Sequence, residues 1–366
     1  MISHILINPF TNQTTGMQPI KTALCSFGMS GWVFHAPFIA AHPGFELQGV
    51  FERSQKRARE KYPGVTSYGS LEEMLAGDNE LVVVNTPNDT HYAYAKKALE
   101  AGKHIIVEKP FTTTAEEAKE LIELAKQQGK LLSVYHNRRY DSDFKTVRKI
   151  IGEGWLGDIV EAEIHYDRYK EELSPKLHKE IPGPSTGSLL DLGSHLIDEA
   201  LQLFGKPDAV FADIRIVRPV AKVDDYFEVL LYYPNLRARL RGSYQVREPL
   251  AAYIIHGSKG SFLKSRADVQ EAALQAYVVP GSEGWGIEPE SEQGLLHTER
   301  EGVVIREKVP TETGNYMEYY DGIYKAIRGH QLPPVAPEDA LLVVQILQAA
   351  HQSSREQKLV PVGSAG

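Results

Sequence analysis

Cysteine is almost missing from this chain: Cys25 is the only one among 366 residues. A lone cysteine excludes an intrachain disulfide and any cysteine-rich zinc or iron–sulfur centre, and no metal is expected. Long apolar runs are absent as well. Stretches such as Leu81–Val84 and residues 105–107 fall far short of a bilayer span. Positive charge is not in excess, because 40 Lys and Arg stand against 48 Asp and Glu, a formal net charge of −8. A nucleic-acid or anionic-membrane surface needs a basic patch. The expected partner is therefore a small molecule, with no nucleic acid and no membrane. The first residues lack the basic start and apolar core of a secretory signal. Residues 1–18 read as an irregular polar extension, and a cytoplasmic setting is the expectation.

What is present is a globular composition, with 42% apolar and 24% charged residues. At about 150 residues per domain, the length suggests two domains. Residues 19–138 alternate short apolar runs with amphipathic stretches, as the βαβ units of a doubly wound parallel sheet do. Strands are expected at 20–27, Phe45–Phe51, 81–85, His104–Val107 and 131–134. Helices are expected at 31–42, 54–62, Leu71–Ala76, 90–100 and 114–128. Ser70 and Glu73 form a capping-box pattern, and Gly102 stops the helix before it.

From residue 139 to 366 the pattern changes to period two. Val160, Ala162, Ile164 and Tyr166 alternate with Glu161, Glu163, His165 and Asp167. Leu236, Ala238 and Leu240 alternate with Arg237, Arg239 and Arg241, and Val210, Ala212, Ile214 and Ile216 make a third such run. Clean alternation belongs to a large open, mainly antiparallel sheet with one buried face. Helices at 142–151, 195–204, 316–328 and 338–352, a hairpin around 257–260 and a loose loop at 281–294 complete a C-terminal α+β domain.

The first strand ends in Ser26-Phe27-Gly28-Met29-Ser30-Gly31 and runs into a helix. This is Gly-x-Gly-x-x-Gly with serine at the first glycine. A Rossmann dinucleotide site needs a tight turn, a backbone bare enough to approach a pyrophosphate, and close helix–strand contact. Gly28 and Gly31 supply the last two, and Ser26 serves the first provided its φ is negative. Glu52 follows about 20 positions later, at the end of the second strand, where a carboxylate can bind the ribose hydroxyls of NAD. Arg53 and Ser54 come next and favour the 2′-phosphate of NADP, although Arg53 also suits the start of a solvated helix. The cofactor is read as NADP, with NAD as the alternative.

Glu108-Lys109-Pro110 stands at the carboxyl end of a strand, where a lysine can orient a substrate hydroxyl; taken alone, Lys109 reads more readily as a surface lysine. Asp191 and His195 stand one turn apart if the turn is helical. A histidine there can take a hydroxyl proton as hydride leaves the same carbon, with the carboxylate orienting the ring or the substrate. Asp198 is an ambiguous acid that can equally pair within its helix.

Phe27-Gly28-x-x-Gly31, Thr86-Pro87-Asn88-x-x-His91, Glu108-Lys109-Pro110 and Asp191-x-x-x-His195 occur in an order that resembles the glucose–fructose oxidoreductase/inositol dehydrogenase/rhizopine catabolism (Gfo/Idh/MocA) family. The resemblance runs over nearly the whole chain from Pro19. Residues 34–37, 86–91 and 136–139 further resemble the branch that holds NADP-dependent scyllo-inositol dehydrogenases. The resemblance implies a Rossmann domain followed by a large-sheet domain, and a homo-oligomer, dimer or tetramer. It implies an NAD(P)-dependent oxidoreductase acting on a secondary alcohol of a sugar, inositol or related polyol. Lys109, Asp191 and His195 would be catalytic, and Phe27, Thr86, Pro87, Asn88, His91, Glu108 and Asn137 would border the cofactor. Tyr140, Tyr166 and Arg168 face a polyol or simply fill space. A redox-neutral glycosidase or lyase that reoxidises its sugar, and a non-catalytic dinucleotide or sugar sensor, are the alternatives.

Overall fold

The computed structural model describes residues 18–53, 56–175, 177–248 and 250–363; Ser54 and most of the N-terminal extension lie outside them. The first half runs β1 (Ile20–Leu24), a π-turn (Ser30–His35), α1 (Ala36–Ala41), β2 (Phe45–Phe51), α2 (Ala58–Lys61), β3 (Thr66–Tyr68), α3 (Leu71–Ala76), β4 (Leu81–Val84), α4 (His91–Glu100), β5 (His104–Val107), α5 (Ala115–Gln127) and β6 (Leu132–Val134). All six strands are parallel, in the order β3-β2-β1-β4-β5-β6. This is the dinucleotide-binding arrangement, with the strand order reversing between β1 and β4. Helices cover both faces, so β4 is buried along its whole length. Thr114 and Glu117 close a reciprocal capping box on α5, while at α3 Ser70 caps Glu73 but the Glu73 carboxylate reaches Gly69 instead.

The second half runs α6 (Ser142–Gly152), β7 (Ile159–His165), α7 (Ser194–Phe204), β8 (Ala209–Arg215), β9 (Tyr226–Tyr232), β10 (Arg237–Ser243), β11 (Tyr253–Gly257), β12 (Gly260–Lys264), α8 (Val269–Gln275), β13 (Gly294–Arg300), β14 (Val303–Val309), α9 (Met317–Gly329), α10 (Pro337–Glu356) and β15 (Val360–Pro361). These nine strands form one sheet, β14-β13-β12-β11-β7-β10-β9-β8-β15, antiparallel except for the β7–β10 pair. The expected alternation sorts as predicted: Ala162, Ile164, Ala238, Leu240, Val210 and Ala212 are buried. The opposite face joins charges that the sequence showed only as separate rows. Arg239 stands level with Glu163 across β10 and β7, and bonds both Glu163 and Glu228. Glu163 and Asp167 then flank the His165 ring at 3.0 and 3.2 Å.

Several expectations are corrected. β1 stops at Leu24 because the Asn85 side chain clasps both the N–H and the C=O of Ser26. Of the helix expected at 54–62, the described part is only Ala58–Lys61, since the Glu52 carboxylate accepts the N–H groups of Arg57 and Ala58 and sets its start. Val160 and Ile216 are 48% and 52% exposed, at strand ends beyond the helical cover. Residues 281–294 are not loose. Trp285 is buried against Phe38 and donates to Gln270, while Glu288 bonds Lys264 and Ser142. β3 and the β13–β14 hairpin were not anticipated. The chain also returns to the first core: Tyr316, Tyr319, Tyr320 and Ile323 pack with Phe38 and Tyr135.

Burial disfavours the His165 imidazolium, but Asp167 and Glu163 outweigh it and raise its pKa above the ordinary value of about 6.5. The charged ring therefore stabilises the fold fully below pH 6.5, and that contribution disappears as pH rises through the raised value. His165→Gln should lower the unfolding free energy by about 2 kcal/mol at pH 6, and by clearly less at pH 9. Urea denaturation at the two pH values measures it.

Candidate active site

The glycine turn lies where the strand order reverses, at the carboxyl ends of β1 and β4. Ser26 is not among the residues with positive φ, so serine is compatible with the first position. Its hydroxyl accepts the Gly28 N–H at 3.2 Å. A Cβ on Gly31 would sit 2.4 Å from the Ser26 carbonyl oxygen and 2.9 Å from Asn85 Nδ2. Only glycine permits that approach. A Cβ on Gly28 would meet nothing nearer than the Ser26 hydroxyl at 3.4 Å, so the outer side of the turn is open. An exposed turn opening into a helix N-terminus suits a pyrophosphate, whose charge needs only backbone N–H groups. Phe27 stands edge-on to Tyr62 at 6.2 Å.

Glu52 and Arg53 part company. The Glu52 side chain is buried, with Oε1 accepting from the backbone of Arg57 and Ala58 and Oε2 from the Ser67 hydroxyl. Its carboxylate holds the chain between β2, β3 and α2. Arg53 is exposed.

After β4, Thr86 and Thr90 bond through their hydroxyls, and Asn88 donates to the Ser185 carbonyl of the second domain. His91 is fully buried. Its ring nitrogens lie 2.9 Å from the Thr86 carbonyl and 3.0 Å from that of Pro110. Rather than lining an open cleft, it fastens the 86–90 turn to the Lys109–Pro110 segment. Glu108 accepts from the Lys109 N–H and lies 3.0 Å from His35, whose other nitrogen meets the Tyr320 hydroxyl at 2.7 Å.

Lys109 reaches across to the second domain, where Nζ donates to the Asp191 carbonyl at 2.7 Å and to Asp191 Oδ1 at 3.2 Å. Asp191 lies in a π-turn, Leu189–Gly193, that leads into α7. Its carboxylate also accepts from Lys179. Of the two roles expected for this carboxylate, orienting the ring or the substrate, neither is a direct bond to the ring: among the described residues its hydrogen bonds go to the two lysines. Burial works against its charge, but Lys109 and Lys179 prevail and hold it far below the usual carboxylate range.

His195 opens α7 and is 7% exposed. Burial first, then the cations Lys109 and Arg138 and the neighbouring His136, drive its pKa well below 6.5. It is a neutral imidazole, and its Nδ1 has no hydrogen-bond partner among the described residues. His136 is buried, and neither ring nitrogen has a hydrogen-bond partner among the described residues; Nδ1 lies 3.8 Å from Asp198. Asp198 itself is paired outside its helix, with Arg139 at 2.6 and 2.8 Å. Asn137 is buried in the turn after β6.

Tyr140 packs on Tyr319 in the first core. Tyr166 is buried, with the guanidinium groups of Arg266 and Arg168 at 4.9 and 5.1 Å from its ring. Sequence reasoning missed Lys179, which lies in a single 3-10 turn, Leu177–Glu180, too short to leave a periodic pattern, and His35, whose role requires contacts more than 70 residues away in sequence. Among the described residues no helix is long and apolar enough to cross a membrane, and no group of His, Cys, Asp and Glu is arranged to hold a metal ion.

Comparison with known proteins covers both halves. Residues 20–136 match the Gfo/Idh/MocA oxidoreductase family's NAD-binding Rossmann fold, and residues 148–362 match its C-terminal alpha/beta domain. The scyllo-inositol 2-dehydrogenase (NADP(+)) IolW of Bacillus subtilis is 38% identical, over 93% of this chain and 95% of that protein. An uncharacterised oxidoreductase of Schizosaccharomyces pombe is 39% identical, over 94% of this chain and 100% of its own length. The crystal structure of an oxidoreductase from Bacillus cereus superposes with a TM-score of 0.87 at 32% identity, covering 95% of this chain and 99% of that one.

Gly31→Ala forces apart the turn and the helix. It should lower stability by about 2 kcal/mol and weaken binding of the reduced nicotinamide dinucleotide about tenfold or more. Thermal denaturation and a nucleotide fluorescence titration check the two effects.

Proposed function

The chain belongs to the Gfo/Idh/MocA family of oxidoreductases, and from that premise we propose that it is an NADP-dependent dehydrogenase of a secondary alcohol on a sugar, inositol or related polyol. The observation that carries this reading is the neutral, buried His195 beside the Lys109–Asp191 pair. When bound, the nicotinamide supplies the hydride acceptor. The chain's own residues handle everything else. Lys109, fixed by two bonds to Asp191, presents a cation to the substrate hydroxyl and stabilises negative charge as it develops on that oxygen. His195, kept neutral by burial and nearby cations, takes the hydroxyl proton. Asp191 acts through Lys109 and Lys179, which it positions.

Gly28 and Gly31 border the pyrophosphate, and Thr86, Pro87, Asn88 and Asn137 border the nicotinamide end, with His91 bracing them from behind. NADP is favoured over NAD by two features. Glu52 is committed to the chain, and Arg53 stands exposed beside it. The named NADP(+) enzyme among the relatives supports the same choice. The assembly that accompanies this reading is a homo-oligomer, dimer or tetramer, joined through the second domain.

His195→Ala should lower kcat by about a thousandfold and leave NADPH affinity within about twofold, read by nicotinamide absorbance and fluorescence titration. In the parent enzyme the acid limb of kcat/KM should lie below pH 6.5, because the base is deprotonated down to its depressed pKa. Net reduction of added NADP during turnover distinguishes this reaction from a redox-neutral lyase. Arg53→Ala should weaken NADP binding about tenfold and leave NAD binding unchanged; equal affinities for NADP in the two proteins would remove the 2′-phosphate role.

A further inference from the structure

We infer that the substrate carries an anionic group, a carboxylate or a phosphoryl group, received by Arg168, Lys170 and Lys179 at the outer side of the site. This rests on the dehydrogenase reading above and deepens it to a substrate class.

Beyond β7 the chain stays extended alongside β10. The N–H groups of Tyr166, Arg168 and Lys170 donate to the carbonyls of Arg241, Ser243 and Tyr244 at 2.8–2.9 Å. Period two then places Tyr166, Arg168 and Lys170 on one face. The Arg168 guanidinium lies 5.1 Å from the Tyr166 ring centre, and the Lys170 ammonium 5.9 Å from that of Tyr244. On the other side stand Lys109 and Lys179, both on Asp191.

The neighbouring cations are neutralised, and these are not. Arg218 pairs with Asp225 at 2.7 Å and Glu180 at 3.5 Å, Arg138 with Asp141, Asp268 and Glu271, and Arg266 with Glu199. Arg168 and Lys170 make no salt bridge to any carboxylate among the described residues, and Lys109 and Lys179 share one. Glu171 and Glu172, next along the loop, are exposed, and their side chains bond none of the four cations. Asp191 is thus the carboxylate that all four cations share among the described residues, Lys109 and Lys179 by direct ion pairs and Arg168 and Lys170 through its field, in a chain whose formal net charge is −8. Partial desolvation and the surrounding cations lower the Lys170 pKa, in keeping with like charges held together.

A neutral polyol gives no return for that repulsion, whereas an anion relieves it. The pyrophosphate is not the relieving group, because its turn follows β1 while these side chains follow β7 on the substrate domain. An anionic group on the polyol, a few bonds from the carbon that gives up hydride, fits the arrangement.

The test uses the whole chain with NADP and NAD. Matched sets compare neutral polyols (glucose, myo-inositol, scyllo-inositol) with carboxylates (gluconate, glucuronate) and phosphoryl compounds (glucose 6-phosphate, inositol phosphate). One anionic arm should exceed its neutral counterparts about tenfold or more in kcat/KM, and added salt should erode that preference. The arm that wins identifies the anion. Lys170→Ala and Arg168→Ala should each reduce the anionic-to-neutral ratio about fivefold or more, with Lys170→Arg restoring it. Calorimetric titration of the NADP-bound protein with gluconate and glucose 6-phosphate, against glucose, reads binding independently of turnover. Neutral polyols turned over as well as both anionic arms would overturn the anion subsite and leave the dehydrogenase reading intact. Anion binding without nicotinamide reduction for any compound would keep the subsite and sink the dehydrogenase reading. No anion binding in the titration overturns the subsite whatever the turnover.

Discussion

The reach of Lys109 onto Asp191 is the contact on which the site depends. It crosses from the carboxyl end of β5 to the turn before α7, so it spans the two halves of the molecule. One cation sets two neighbours at once: it holds the Asp191 carboxylate ionised and disfavours protonation of His195. Burial does most to keep His195 neutral, and Lys179 shares with Lys109 the work of keeping Asp191 charged. The Lys109 backbone is fixed in turn through Glu108 and His35 to the Tyr320 hydroxyl on α9. A helix near the end of the chain thereby steadies a residue of the first sheet.

The nucleotide half shows the same economy of side chains. Asn85 binds both polar groups of the Ser26 backbone, bringing the ends of β1 and β4 together where the strand order reverses. Gly31 permits that closeness, and His91 ties the next loop to the segment that carries Lys109. Glu52 is diverted to hold its own chain, and it leaves Arg53 as the charged group at the end of β2.

Charge is best understood locally. A formal charge of −8 describes the whole chain, yet the acids are spread over solvated helices and paired sites. The sheet face illustrates this: Glu228, Arg239, Glu163, His165 and Asp167 neutralise one another along a ladder across three strands. Around Asp191 the balance is reversed, with cations in excess. Field strength at a ligand depends on such neighbours over about 10 Å or less, so the net figure says little about what the site attracts.

The sequence by itself determined the two-part architecture, the parallel and the alternating sheets, and the positions of Gly28, Gly31, Lys109, Asp191 and His195. These are local matters: hydrophobic period, turn chemistry and motif spacing act over a few residues. Tertiary structure alone decided what those residues touch. It set Asp191, on a π-turn, against two lysines from other segments. It buried Glu52 and His91 among backbone groups, put Asp198 on Arg139, and drew α9 into the first core. Each of these outcomes depends on segments distant in sequence arriving at one point in space. The residue types announce what chemistry is available, and the long-range contacts choose which partner each group meets.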